Sequence, residues 1–229
     1  VDVTYNCVSS VVVTEDKAKV AGEEEAERLG KIIWGKRAEF VFTTEAHDFK
    51  KCLDIAINAD SKPIIISDGG DNPTAGASQD LTNALNTMLK KGVKNALFAV
   101  VADAASYRKC VEAGIGEYVQ LDLGRVNPDE EPPLPLKVRV LVEKIGKSVD
   151  VASVVVKADD VQVIITEERT AVFDPRVVTD LGLDPMDYQV VVVKSGYLSP
   201  AFASMTKRPM LGLTPGDTNL VLESIPYKV

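Results

Sequence analysis

The first half of the chain alternates short apolar runs with amphipathic segments. Apolar runs of strand length bounded by proline or glycine are typical of buried parallel strands, whereas apolar residues spaced three and four apart are typical of helices. In the longest such helix, Leu29, Ile32 and Ile33 are expected to form a buried face. The pattern predicts strands over residues 8–13, 62–68, 95–101 and 118–123, and helices over residues 17–40, 48–58, 78–91 and 106–113.

The second half of the chain is dominated by β signals. It follows an acid- and proline-rich loop over residues 126–134 and contains one short helix around residues 176–181, which Pro175 opens. We therefore expect an α/β protein: a parallel or mixed sheet with flanking helices in the first half, and a β-rich (α+β) second half. The strands predicted here are residues 136–143, 151–156, 161–166 and 189–193.

Charge and hydropathy exclude several classes of protein. The 26 basic and 34 acidic residues give a formal net charge of −8, which disfavours a nucleic-acid binder. No apolar stretch approaches the length of a membrane span, and no basic region followed by an apolar run indicates a secretory signal. The chain begins at Val1 without a methionine, so we expect a processed or partial chain.

Cysteine and histidine content limits the metal chemistry that this chain can hold alone. The 3 cysteines are widely spaced without a C-x-x-C pair, which argues against a disulfide framework or a zinc ribbon and suits a reducing cytoplasm. His47 is the only histidine, whereas a catalytic zinc site usually takes two or three nitrogen ligands. We expect His47 to be a surface residue and this chain to contain no complete metal site.

The strongest candidate for chemistry is the loop over residues 67–80, which leaves a buried strand and enters a helix. It lacks the endings of a Walker A loop and of a G-x-G-x-x-G loop. The carboxylates of Asp68, Asp71 and Asp80 would repel a phosphate, so a cation, a hydroxyl or an amine is the better guest. The same residues also suit a plain turn and a helix cap, and residue chemistry leaves the two interpretations balanced.

Two further segments are weaker candidates. Lys194, at the end of a predicted strand, could bind a carboxylate or phosphate, but a surface lysine at a strand end is the favoured interpretation. The Pro-Gly turn over residues 213–219 is expected to be a plain loop.

Together these segments resemble the C-terminal half of the MlrC family, which is named for microcystinase C and classed as metallopeptidases. The loop marks are Asp71-Asn72-Pro73, Gly76-Ala77 and Asp80, although the family's triple glycine is Thr74-Ala75-Gly76 here, which stiffens the loop. Gly196-Tyr197-Leu198 also replaces a more polar, aromatic run of the family, which bears on substrate identity. The remaining marks are residues 91–96, 171–175, 192–195, 213–216 and 225–227.

The resemblance implies a domain division and an activity. Residues 61–229 would form an MlrC-like C-terminal domain, and residues 1–60 the tail of a preceding metal-binding domain. The whole protein would be a zinc-dependent hydrolase that cuts amide bonds of small or unusual peptides. Its zinc ligands would lie in that preceding domain, so this chain alone would supply no metal ligand and would be inactive.

The resemblance also implies roles and partners. The partners would be the chain's own N-terminal catalytic domain and a small peptide-like substrate, without nucleic acid or membrane, and a homo-oligomer stays open. A different interpretation is a non-catalytic domain whose Asp71 loop binds a small polar molecule or a partner, and a third is a purely structural domain. The residues implied are catalytic Asp71 and Asp80, and substrate-binding Asn72, Gly76, Lys194 and Ser195.

Overall fold

The computed structural model describes residues 10–126 and 134–224. The chain divides into two compact units, Val1–Thr43 with Ser224–Val229, and Thr44–Glu223. The predicted domain boundary at residue 60 falls inside the larger unit. The assignment of residues 1–60 to a preceding domain stays a prediction.

The larger unit is built on a 9-stranded sheet that is flanked by helices. The strands are β1 (Glu45–Asp48), β2 (Ile64–Asp68), β3 (Ala96–Ala102), β4 (Tyr118–Leu123), β5 (Leu136–Ser148), β6 (Val151–Ala158), β7 (Val161–Thr166), β8 (Val190–Lys194) and β9 (Met210–Leu213). Their order in the sheet is β1-β9-β2-β8-β3-β7-β6-β5-β4. The flanking helices are α2 (Phe49–Ile57), α3 (Asn83–Lys91), α4 (Ala104–Ala113), α5 (Arg176–Thr179) and α6 (Pro200–Ala203).

Both faces of the central strands are buried, which explains their continuous apolar runs. Ile64 and Ile66 of β2 belong to the core on one face, with buried residues of α2 and α3, while Ile65 belongs to the core on the other face. That second core includes Phe202 of α6 and the valines of α5. The alternation of side chains along a strand therefore divides one apolar run between two helix layers.

The sheet is mixed. The six strands from β1 to β7 in the sheet order pair in parallel, and β7, β6, β5 and β4 pair antiparallel. The expected α/β class is confirmed, and the β-rich second half is part of the same sheet. In particular β8 and β9 insert between strands of the first half, so the carboxyl ends of strands from both halves share one edge.

The predicted elements differ from the observed ones in a few places. The strand expected over residues 8–13 is wrong where the structure describes it, since residues 10–13 form no strand. The short strands β1 and β9 were not predicted. Three of the four residues of β1 are polar and β9 contains Gly212, so neither gives a clear β signal. Helix α3 begins at Asn83 rather than at residue 78, since the intervening residues hold the loop contacts described below.

The smaller unit contains α1 (Lys19–Gly35), whose expected buried face is wrong. Within the described residues only Gly22 of this helix is buried, and Ile32 and Ile33 are 42% and 41% exposed. The described residues give α1 no apolar layer that covers these side chains. None of the helices within residues 10–126 and 134–224 has the length and apolar content needed to span a membrane.

Candidate functional site

The candidate site is the loop between β2 and α3, at the edge where the parallel strands end. The chain leaves Asp68 at the carboxyl end of β2, forms short 3-10 turns over Gly69–Asp71 and Pro73–Ala75, and reaches α3 at Asn83. This edge is where open α/β sheets place their ligands. We refer to residues 69–82 as the β2–α3 loop.

Asp71 organises the β2–α3 loop from inside. Its Oδ1 accepts a hydrogen bond from the backbone N–H of Gln79 and its Oδ2 one from that of Leu81, both at 2.8 Å. Oδ2 also accepts from Nζ of Lys194 at 2.5 Å, and the Asp71 side chain is 1% exposed. One carboxylate therefore fixes both ends of the loop to strand β8.

The ammonium group of Lys194 is the cation that pairs with the Asp71 carboxylate. Its side chain is 0% exposed, and Nζ donates to Asp71, to the carbonyl of Gln79 at 3.2 Å and to the carbonyl of Leu81. The ammonium also lies 5.7 Å from the centroid of the Phe98 ring. The surface position favoured for Lys194 is wrong, because all three of its N–H donors are used inside the protein.

The other predicted substrate-binding residues differ in exposure, since Asn72 and Ser195 are buried and Gly76 is exposed. Asn72 Oδ1 accepts from the backbone N–H of Thr74 at 3.1 Å and from its hydroxyl at 2.8 Å, while Nδ2 has no hydrogen-bond partner among the described residues. Gly76 ends the second 3-10 turn at φ 103°, in the left-handed region that favours glycine. Ser195 is 6% exposed, and its hydroxyl donates to the carbonyl of Tyr197 at 2.7 Å.

Asp80 lies in a separate ion-pair network with Arg125. The Arg125 Nε lies 3.0 Å from both oxygens of Asp80, and its Nη2 lies 2.7 Å from the Ser78 hydroxyl and 2.9 Å from Oδ2 of Asp217. Burial raises the pKa of Asp80, but the hydrogen bonds from Arg125 and Ser78 outweigh it, and the net effect lowers that pKa. Asp80 is therefore held as a carboxylate.

The loop over residues 213–219 interlocks with the β2–α3 loop, in contrast to the plain loop that was expected. The hydroxyl of Thr214 accepts from the N–H of Gly70 at 2.9 Å, and that of Thr218 accepts from the N–H of Asn72 at 2.9 Å. A Cβ added at Gly70 would lie 2.5 Å from the carbonyl oxygen of Thr214. Gly70 is thus required by the close approach of two backbones.

Gln79 attaches the β2–α3 loop to a third segment. Its amide donates to the carbonyl of Thr170 at 2.7 Å and accepts from the N–H of Thr170 at 2.8 Å. Gln79 is completely buried and adopts a φ of 65°. A non-glycine residue in this region is uncommon, and here the two amide hydrogen bonds hold it in place.

The described residues do not fit a metal ion. They contain no group of three or more His, Cys, Asp or Glu side chains that could hold one. Asp71 and Asp80, the carboxylates that the sequence singled out, are instead paired with Lys194 and Arg125. No metal-dependent step can be assigned to these side chains.

A cleft of about 280 Å³ adjoins the site. It lies beside the carboxyl ends of β1 and β9, between the first turns of α2 and α3. Its lining mixes polar and apolar side chains: Asp48, Phe49, Lys50, Asn83, Ala84, Thr87, Leu213, Thr214 and Pro215.

The profile of the family described as MlrC C-terminus matches residues 66–229, which include the whole β2–α3 loop, Lys194 and the interlocking loop. The chain belongs to the MlrC family. It is also 26% identical over 157 residues to Microcystinase C of Sphingomonas sp., a match that covers 64% of this chain and 31% of that protein. The resemblance inferred from residues 71–80 and the later marks is confirmed.

A solved structure shares the fold. The crystal structure named "Putative metallopeptidase" from Mesorhizobium sp. BNC1 superposes with a TM-score of 0.74 at 22% identity, covering 91% of this chain and 44% of that one. This chain of the MlrC family therefore spans less than half the length of either relative.

Several residues of the site were not predicted from the sequence. Gln79, Arg125 and Thr218 are polar residues in loops or at a strand end, and no periodicity or motif distinguishes them. The several carboxylates in the loop were the sequence feature that predicted a nearby cation. They did not indicate that Lys194 and Arg125 supply the positive charge from distant segments.

Proposed function

We propose that this chain is part of a metal-dependent hydrolase of the peptidase type that acts on amide bonds of small or unusual peptides, and that it forms one wall of the substrate cleft. Membership of the MlrC family and the names of the two relatives support the reaction class. The observation that carries the proposal is that the family-matching β2–α3 loop lies at the carboxyl edge of the parallel strands.

The proposal places the metal, which we take to be zinc, on ligands outside the described residues, in a preceding catalytic domain. That domain would be the main partner of this chain, and the chain alone would lack hydrolase activity. The pairing of Asp71 with Lys194 and of Asp80 with Arg125 supports this division, because both carboxylates are already neutralised by cations. The buried free thiols of Cys52 and Cys110 are consistent with a cytoplasmic location.

Within this division, Asn72 is the residue best suited to contact substrate. Its Oδ1 is used to hold Thr74, while Nδ2 is an N–H donor that has no acceptor among the described residues. A peptide substrate presents carbonyl oxygens that such a donor can bind. The catalytic role predicted for Asp71 and Asp80 stays a prediction, and their contacts support a positioning role for the loop that carries Asn72.

The test is hydrolysis of a panel of short linear and cyclic peptides by the parent protein, before and after chelation and with zinc, manganese or cobalt restored. Asn72→Asp keeps an oxygen in place of Oδ1 but removes the donor. We expect it to lower kcat/KM by about tenfold while metal content stays unchanged. Asn58→Asp, the same change at an exposed position of α2's end, is the matched control.

A parent protein that cleaves no peptide in the panel with any of the metals would contradict the hydrolase proposal. The parent protein could instead show metal-dependent hydrolysis while its Asn72→Asp variant is as active as Asn58→Asp. That result would support the hydrolase proposal but contradict a role of Asn72 in substrate binding.

The second candidate function is a non-catalytic domain that binds a small polar molecule. The observation that favours it is the cleft of about 280 Å³ beside the site, together with the lack of a metal-binding group among the described residues. It predicts saturable binding of a small polar ligand by this chain alone, without turnover. Calorimetry with amino acids and dipeptides separates it from the hydrolase proposal.

A further inference from the structure

Asp68 is a buried carboxylate of the site that forms no ion pair with any described residue. Its side chain is 0% exposed, and Oδ2 has no hydrogen-bond partner in the part of the chain that the structure describes. Its other oxygen, Oδ1, contacts the hydroxyl of Thr214. A carboxylate ion in this position would be a fully buried charge with one unsatisfied oxygen and no ion pair, which is a costly arrangement.

The neighbouring charges are already committed to each other. Lys194, which is paired with Asp68 in the register of β2 and β8, uses its three N–H donors on Asp71, Gln79 and Leu81. Asp71 contributes a negative charge from the turn that follows β2. On the other side β9 presents Gly212, followed by Leu213 and Thr214, so it adds no charge. The groups that face Asp68 thus comprise one cation and one anion that neutralise each other.

We infer that Asp68 is held as a neutral carboxylic acid, and that this neutrality keeps the β2–α3 loop attached to the loop over residues 213–219, an attachment that we call the lock. The Thr214 hydroxyl joins the two halves of this lock, since the same oxygen contacts Asp68 and accepts from the N–H of Gly70. Thr218 extends the contact, because its N–H donates to the carbonyl of Gly70 at 3.0 Å. Ionisation of Asp68 would place an unpaired charge in the centre of this contact.

The electrostatics agree with this geometry. Burial raises the pKa of Asp68, and the charge of Lys194 and the hydrogen bond from Thr214 offset that effect only in part. A group whose pKa is raised on folding stabilises the folded state at low pH, and this contribution is lost as the pH rises through the folded-state pKa. The lock is therefore strongest in acid and weakens as the pH rises towards the folded-state pKa of Asp68.

The test uses this chain and needs neither substrate nor metal. The carboxyl carbon of Asp68 is followed by NMR from acid to alkaline pH, with the exposed Asp122 in the same spectra as reference. Amide exchange of Gly70 and Thr218, corrected for the intrinsic rate, reports the lock. We expect Asp68 to titrate well above Asp122, and protection of both amides to fall by about tenfold per pH unit until Asp68 ionises.

Two variants isolate the proton. Asp68→Asn keeps the shape without the ionisation, so protection should become independent of pH, while Asp122→Asn, the same change on the surface, should behave like the unaltered chain. Titration of Asp68 together with Asp122, or pH-dependent protection that persists in Asp68→Asn, would overturn the inference. If Asp68→Asn does not fold, the titration of the unaltered chain still decides. Since no readout involves hydrolysis, the outcome is independent of the proposed function.

Discussion

The Nζ of Lys194 lies 2.5 Å from Oδ2 of Asp71, and both side chains are almost completely buried, at 0% and 1% exposure. The two residues are far apart in the sequence, one at the end of β8 and the other in the turn after β2. Because the Asp71 carboxylate also receives two backbone N–H groups of the loop, this ion pair sets the conformation of the β2–α3 loop. The conformation of the loop that carries the family motif thus depends on a buried ion pair between the turn after β2 and the end of β8.

Removing the positive charge of Lys194 should therefore strongly destabilise the folded chain. Lys194→Met keeps much of the aliphatic side chain but leaves Asp71 as an unpaired buried charge, which typically costs about 3–5 kcal/mol. Denaturant unfolding of this chain measures the loss. Lys137→Met, on an exposed position of β5, is the matched control and should change the free energy of unfolding by less than about 0.5 kcal/mol.

The double variant Asp71→Asn with Lys194→Met distinguishes the pair from the packing. It removes both charges, so it should be more stable than Lys194→Met alone, since no unpaired charge is left in the interior. A double variant that is as unstable as the sum of both single variants would show that the charges do not act as a pair.

The ion pair between Asp80 and Arg125 should stabilise the larger unit at neutral pH, and this stabilisation should be lost in acid. The pKa of Asp80 is lowered on folding, so its contribution is present above the unfolded-state pKa and disappears as the pH falls through the lowered folded-state value. The expected result is a steeper loss of thermal stability below about pH 4 in the unaltered chain than in Asp80→Asn. Asp122→Asn, an exposed carboxylate changed in the same way, should keep the steeper loss.

The fold could be predicted from the sequence more completely than the contacts of the candidate site. Apolar runs such as residues 64–66 predicted the central strands because burial on both faces leaves a continuous signal. The loop was located for a similar reason, since it joins such a strand to an amphipathic helix. The partner of Asp71 could not be found in this way, because Lys194 reaches it only through the parallel pairing of β2 with β8, whose register no local pattern encodes. The same holds for Thr214, which meets Gly70 through the pairing of β2 with β9.

The tight contact at Gly70 should make this position intolerant of any side chain. In Gly70→Ala the added Cβ would lie 2.5 Å from the carbonyl oxygen of Thr214, so one of the two backbones must move, at a cost of about 1–3 kcal/mol. Gly146→Ala is the control, because the nearest atom to its Cβ would be 3.4 Å away, which is about an ordinary contact. Thermal unfolding compares the two, and equal stability would show that the loops are less tightly joined than the structure indicates.

The amide of Gln79 should be needed for the attachment of the β2–α3 loop to Thr170. Gln79→Ala leaves the N–H and the carbonyl of the half-buried Thr170 without their partners. A fully buried unsatisfied group costs about 1–3 kcal/mol, and the cost here should be smaller because water can reach Thr170. Amide exchange at Thr170 should accelerate far more than exchange in β6, which lies away from the contact. Gln120→Ala, on an exposed position of β4, removes the same atoms without a buried partner and should leave both unchanged. Unchanged protection of Thr170 in Gln79→Ala would mean that the two segments are held together by Arg169, whose Nη1 donates to the carbonyl of Ala77 at 2.9 Å.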